Sequence, residues 1–153
     1  RQDFHPVYNN PMAAGTRAHQ VATYIVFDNP LVMLCDNPTS YTKEQETTDF
    51  ITDIPTVWDE TQILQGELGK YIVSARRSGE RWFVGGLTDW TSRTITLDLS
   101  FLEPGRIYKA RMFMDGVNAD RYATDYKIEE REVTAADKLT FELSPGGGFA
   151  ISF

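Results

Sequence analysis

At Pro55 the hydrophobic period of this chain changes from that of a helix to that of a strand. After it, apolar residues recur at every second position. Ile95, Leu97, Leu99 and Phe101 alternate with Thr94, Thr96, Asp98 and Ser100. Leu139, Phe141 and Leu143 alternate with Thr140 and Glu142, and Phe149, Ile151 and Phe153 end the chain in the same way. A period of two lines one face of a strand with apolar side chains, so each run implies a half-buried strand. Residues 71–75, 82–84 and 107–114 are further strands, and segments around 58–64 and 127–133 bring the count to about eight. Ser78-Gly79, Pro104-Gly105, Asp115-Gly116 and Pro145-Gly146-Gly147-Gly148 are turn signals between them. Short strands at close spacing with no intervening helix predict a mainly β fold, an antiparallel sandwich over residues 55–153.

Residues 1–54 read as helices. Ala18, Val21, Ala22, Ile25 and Val26 form a stripe at helical spacing, and Thr16 stands where an N-cap would. Asn29-Pro30 must end that helix and can open a second, running to Asn37-Pro38. A third is expected from Thr42 to about Thr52, with Thr42 and Gln45 at capping-box spacing. The first two are too apolar to stand alone, so they must pack on the β domain, on something before Arg1, or on both. They are expected to stay folded against the sandwich and to leave an apolar patch that favours self-association.

Charge and cysteine content exclude several functions. Net charge is −7, and the densest basic cluster is Arg76-Arg77 with Arg81. Neutralising nucleic-acid phosphates needs a Lys/Arg surplus, so a nucleic-acid partner is not expected. These arginines read better as the ends of two paired strands. The single cysteine, Cys35, rules out an intrachain disulfide and reads as a small core residue. No run reaches the length of a membrane-spanning helix. The chain opens Arg1-Gln2-Asp3 with neither an initiator Met nor a signal peptide, and we read it as a piece of a longer protein.

A search for catalytic constellations leaves little. His5 and His19 form no metal-binding pattern, and no Gly-x-Ser-x-Gly elbow or phosphate loop is present. Glycoside hydrolysis needs two carboxyl groups facing each other across a sugar. Asp59-Glu60 and Glu129-Glu130 are candidates, but neighbours on a strand point to opposite faces, so solvated positions are the better reading. Asp115, Asn118, Asp120 and Asp125 have the oxygen content of a cation or sugar site without the spacing of an EF-hand, and read first as a long turn. Trp58, Trp82 and Trp90 are either core or platforms for a sugar. The second alternative would make the chain a carbohydrate-binding β-sandwich module.

Several blocks, taken in order, carry a family resemblance. Residues 15–20 (Gly15-Thr16-Arg17-Ala18-His19-Gln20), 26–31 and 35–41 resemble the end of the catalytic barrel in family 97 glycoside hydrolases, and 55–61 resembles that family's passage into its C-terminal β domain. Residues 75–77, 115–121, 123–127 and 145–149 are also similar to it. The resemblance implies a parent with an N-terminal β supersandwich, a (β/α)8 barrel and a C-terminal β domain. In this chain, 1–54 would be the last barrel helices and 55–153 the β domain. It implies hydrolysis of α-glucosides or α-galactosides, with inversion in some members and retention in others. It also implies an active-site calcium ion and a secreted or periplasmic location in Bacteroidetes. The expected partners are the barrel and N-terminal domain of the parent and, through them, an oligosaccharide. The family's catalytic carboxylates and calcium ligands would precede Arg1, so no residue of this chain is assigned a catalytic, cofactor-binding or metal-binding role. The 153-residue chain is expected to be inactive alone, and the loop from His5 to Pro11 is placed near the barrel mouth by its order in the sequence.

Overall fold

A computed structural model describes residues 7–8, 13–31, 33–34 and 36–153. Three helices precede eight strands: α1 (Arg17–Val26), α2 (Pro38–Lys43), α3 (Gln45–Thr52), β1 (Glu60–Glu67), β2 (Tyr71–Ser78), β3 (Arg81–Thr88), β4 (Arg93–Asp98), β5 (Tyr108–Asp115), β6 (Tyr126–Val133), β7 (Lys138–Leu143) and β8 (Gly148–Ser152). Six strands form one antiparallel sheet in the order β1-β2-β3-β8-β5-β6, and β4 pairs with β7 in a second. The expected antiparallel sandwich of eight strands is present.

The two sheets enclose the main core. Ile95, Leu97, Leu139, Phe141 and Leu143 from the small sheet meet Val73, Val84, Met112, Phe149 and Ile151 from the large one. β4 and β7 alternate buried and exposed residues along their lengths because only one of their faces is covered. β8 is buried at every position and β3 at all but its first, because both faces of these central strands are covered. The sandwich core takes Trp82, Val84, Phe149 and Ile151. Phe83, Leu87, Phe113 and Ala150 face the other way and pack under α1 and α3 with Ala18, Val21, Ala22, Ile25 and Phe50.

Two adjacent glycines on β3 make this double burial fit. A Cβ on Gly85 would lie 2.8 Å from Val26 Cγ2 and 3.0 Å from the Ala22 carbonyl oxygen, so Gly85 lets α1 sit close to the sheet. A Cβ on Gly86 would lie 2.2 Å from Phe149 Cε1. The Phe149 ring therefore rests on Gly86, and it stacks on Phe141 of the opposite sheet at 4.0 Å.

The helical segment departs from expectation in two places. Among the described residues between 29 and 37 none is helical. Asn29 Oδ1 accepts the Leu31 amide at 3.1 Å, which makes a local turn and no helix follows. The helix starts instead at Pro38, with Asn37 as its N-cap accepting the Ser40 amide at 3.0 Å. The physical reason is burial: Leu31 and Met33 are more than 70% exposed, so a helix here would have no surface on which to bury its stripe. The Thr42–Gln45 capping box is also not formed. Thr42 lies inside α2, where its hydroxyl donates to the Pro38 carbonyl, and α3 has Glu44 as an N-cap without a side-chain bond. Cys35, and the His5–Pro11 loop apart from Val7 and Tyr8, lie outside the described residues.

Candidate functional site: the junction at the start of the first helix

The start of a helix leaves backbone N–H groups without intrahelical partners. In α1 two loops of the sandwich supply acceptors. Thr16 N donates to the Gly146 carbonyl at 2.9 Å, and Arg17 N donates to the Ala123 carbonyl at 2.7 Å. The Thr16 hydroxyl caps the helix by accepting the His19 amide at 3.1 Å. His19 Nδ1 lies 3.0 Å from the Gly147 carbonyl oxygen. A carbonyl can only accept, so Nδ1 carries the proton. The same oxygen accepts from Thr88 N at 3.1 Å. Three stretches of the sequence (15–20, 123–127 and 145–149) thus meet at one point, and Asp115 adds a fourth, 115–121.

Asp115, at the end of β5, is the buried acid of this junction. Its Oδ2 accepts the Ser144 amide at 2.9 Å, while Oδ1 has no hydrogen bond of ordinary geometry. Burial pushes the Asp115 carboxyl above its usual range, although the Thr16 hydroxyl, the amides of Ser144 and Gly148 and the charge of His19 pull the other way. The fit is tight: a Cβ on Gly147 would lie 2.0 Å from Asp115 Oδ2. Gly146 takes φ +65°, a conformation glycine adopts without penalty, and its α-carbon faces the ring of Trp90.

The suggested cation loop does not converge. Asp125 Oδ2 accepts the Asn118 amide at 2.8 Å, and its own carbonyl accepts Gly116 N at 3.1 Å. Asp125 therefore closes the turn, whereas Asp115 points at the 144–148 loop. Among the described residues no group of three or more His, Cys, Asp and Glu side chains is placed to hold a metal ion.

The carboxylate pairs are occupied in structure. Asp59 Oδ2 accepts the Gly79 amide at 2.7 Å, and Glu60 binds Gln62 at 2.7 Å and Arg77 at 3.1 Å. The Gln62 amide, then the Arg77 guanidinium, holds Glu60 below the ordinary glutamate range. Glu129 pairs with Lys127 at 3.0 Å and Glu130 with Lys109 at 2.7 Å, which holds Glu130 low as well. A glycosidase general acid needs a raised pKa, so Glu60 and Glu130 are shifted in the wrong direction. Trp82 lies in the sandwich core, and Trp58 sits edge-on to Phe83 at 5.5 Å. Of the three tryptophans, Trp90 is exposed, Trp58 half-buried and Trp82 buried.

A second polar position had no signal in the sequence beyond its charge. Arg76, on β2, is 6% exposed. Its guanidinium lies 5.6 Å from the Trp58 ring, 3.5 Å from the Val26 carbonyl at the end of α1 and 3.5 Å from Asp28. Its Nε and Nη1 have no hydrogen-bond partner. A cation at a helix C-terminus is favoured by the helix dipole, so Arg76 ties the last turn of α1 to the sandwich.

These features define a β-sandwich module with a helix inlaid on its large sheet, whose polar groups serve the junctions between its own segments. The family described as "Glycosyl-hydrolase 97 C-terminal, oligomerisation" matches residues 57–153, and the chain belongs to that family. A retaining α-galactosidase of Bacteroides thetaiotaomicron is 51% identical over 149 residues, which is 97% of this chain and 22% of that protein. A glycoside hydrolase family 97 enzyme from Pseudoalteromonas sp. strain K8, solved with acarbose, superposes with a TM-score of 0.87 at 40% identity over 91% of this chain and 22% of its own. A β-arabinopyranosidase shares the fold, with a TM-score of 0.78 at 24% identity over 94% of this chain and 22% of its own. The chain thus spans about a fifth of the length of the relatives it matches.

Proposed function

We propose that this chain is the C-terminal accessory part of a retaining α-galactosidase of the family 97 type. Residues 1–54 would supply the last helices of its catalytic barrel and 55–153 the β domain that braces them. The observation that carries this reading is the inlay of α1: its N-terminus is held by two sandwich loops and its buried face by Gly85, Phe83 and Phe113. As a barrel element held in this way by the sandwich, α1 would set the orientation of the sandwich against the barrel. Phe27, Leu31 and Met33, exposed just beyond α1, are the side chains that the upstream barrel would cover. Catalytic carboxylates and calcium belong to that upstream part, and a secreted or periplasmic location goes with it. The description of the family supports a further role in assembling the parent.

The test is catalytic. The 153-residue chain should not hydrolyse an aryl α-galactoside, whereas a longer protein that includes the sequence before Arg1 should. Turnover by the 153-residue chain that disappears on a point substitution within it would overturn the proposal.

A further inference from the structure

We propose that the β1 edge of the large sheet, with the apolar corner formed by Ile63, Gly66, Leu68, Ile72 and Leu87, is the surface through which two copies of this chain associate; this rests on the assembly role proposed above. The sheet has two edges, and they differ in kind. β6 carries Lys127, Glu129, Glu130, Arg131 and Glu132 within eight residues. Such a density of charge protects an edge from pairing. β1 carries charge only at its ends, on Glu60 and Glu67, and each already has a partner, Arg77 at 3.1 Å and Lys70 at 2.5 Å. The six residues between them are uncharged.

The corner beside this edge is apolar and open. α1 packs on β3, β8, β5 and part of β2, and the outer strand β1 is left exposed at Ile63. Ile63 is 62% exposed, and Leu68, at the hairpin tip, is fully exposed. A bulge between Ile63 and Gln65 resets the alternation. Ile63 opposes Ser74 and Gly66 opposes Ile72, so these two residues, three apart, share one face. With no side chain at Gly66, a cleft of about 580 Å³ opens between Ile63, Leu68, Ile72 and Leu87, lined also by Glu67, Lys70 and Asp89.

Protruding side chains and a hollow on one strand suit a two-fold contact, in which each copy supplies both halves. An oligomeric partner is favoured over other occupants because the family described by oligomerisation matches residues 57–153, and this corner lies within that span. The exposed residues Phe27, Leu31 and Met33 lie outside it.

Sedimentation velocity on the 153-residue chain and two variants tests the surface. The unsubstituted chain should dimerise reversibly. The double variant Ile63→Lys, Leu68→Asp should weaken the dimer ~10-fold or more. At concentrations where both chains are monomeric its urea midpoint should not change, because both side chains are exposed. The double variant Leu31→Glu, Met33→Glu should leave the dimer intact. A chain that stays monomeric at high concentration would remove the assembly role and this surface together. A dimer that ignores Ile63→Lys, Leu68→Asp but dissolves with Leu31→Glu, Met33→Glu would keep assembly and overturn the surface. A longer, monomeric protein with β1 amides protected from hydrogen exchange would assign the corner to the upstream part of the same polypeptide, and would also overturn it.

Discussion

His19, in the first turn of α1, donates from Nδ1 to the carbonyl oxygen of Gly147, 3.0 Å away and 128 positions later in the chain. The bond joins the helical segment to the turn between β7 and β8. That turn also receives Thr16 N at Gly146 and Thr88 N at Gly147. One short loop therefore aligns a helix, the end of β3 and the last strand.

His19→Ala should destabilise the chain by about 1–2 kcal/mol, the range for losing a part-buried hydrogen bond and its packing. Gly147→Ala should cost more, because its Cβ would fall 2.0 Å from Asp115 Oδ2 and 2.6 Å from the Ser144 carbonyl oxygen. Urea midpoints read by tryptophan fluorescence measure both. A Gly147→Ala chain as stable as the unsubstituted one would show that the loop is free to move away from Asp115.

Gly85→Ala tests the inlay of α1. The new methyl would meet the Ala22 carbonyl oxygen at 3.0 Å and the Ile25 Cβ at 3.1 Å, and neither is a flexible side-chain end. We expect a loss of about 1–3 kcal/mol, as for overpacking in a core. Val26→Ala should recover only part of it, since it relieves the Val26 contact alone. Full recovery would mean that the helix backbone shifts freely over β3.

The strands and their one-sided faces were legible in the sequence because alternation on β4 and β7 reports a single covered face directly. The double burial of β3 was not, since alternation cannot show that a second layer covers Phe83 and Leu87. Its trace was the Gly85-Gly86 pair inside a strand pattern, a mark of close approach on both faces. The helix expected from Pro30 failed because its apolar residues signal burial without saying what covers them. The junction residues Thr16, His19, Asp115 and Gly147 lie in three separate stretches of the sequence. Only the long-range pairing of β3, β5 and β8 brings them together. Arg76 gave no sign of being buried, because its neighbour Arg77 is half-exposed on the opposite face.

Arg76→Met should be nearly neutral or stabilising in this chain. The guanidinium is desolvated, and two of its nitrogens have no hydrogen bond. Replacing a poorly satisfied buried charge by an apolar side chain of similar length often costs nothing. Asp28 is mostly exposed and contributes little in return. A loss of more than about 2 kcal/mol in the urea midpoint would show that the bond to Val26 and the contact with Trp58 outweigh desolvation.

Asp115 gives the chain a pH dependence of definite sign. Its folded pKa is raised, chiefly by burial, so between its ordinary value of 3.8 and the raised value the folded state holds a proton that the unfolded state has released. Stability due to this group is greatest below that window and falls as pH rises through it. Asp115→Asn removes the titration and can still accept the Ser144 amide through its side-chain oxygen. Relative to the unsubstituted chain, the variant should therefore gain stability as pH rises from 3.8 through the raised value. Asp53 provides the contrast, because its hydrogen bond to Arg81 holds its pKa down. The stability it contributes is present above 3.8 and is lost as pH falls through its lowered value, so Asp53→Asn should cost less in acid than at neutral pH. Urea midpoints at several pH values decide both, and a stability difference for Asp115→Asn that moves against the variant as pH rises would place the ionised carboxylate among the favourable contacts of α1.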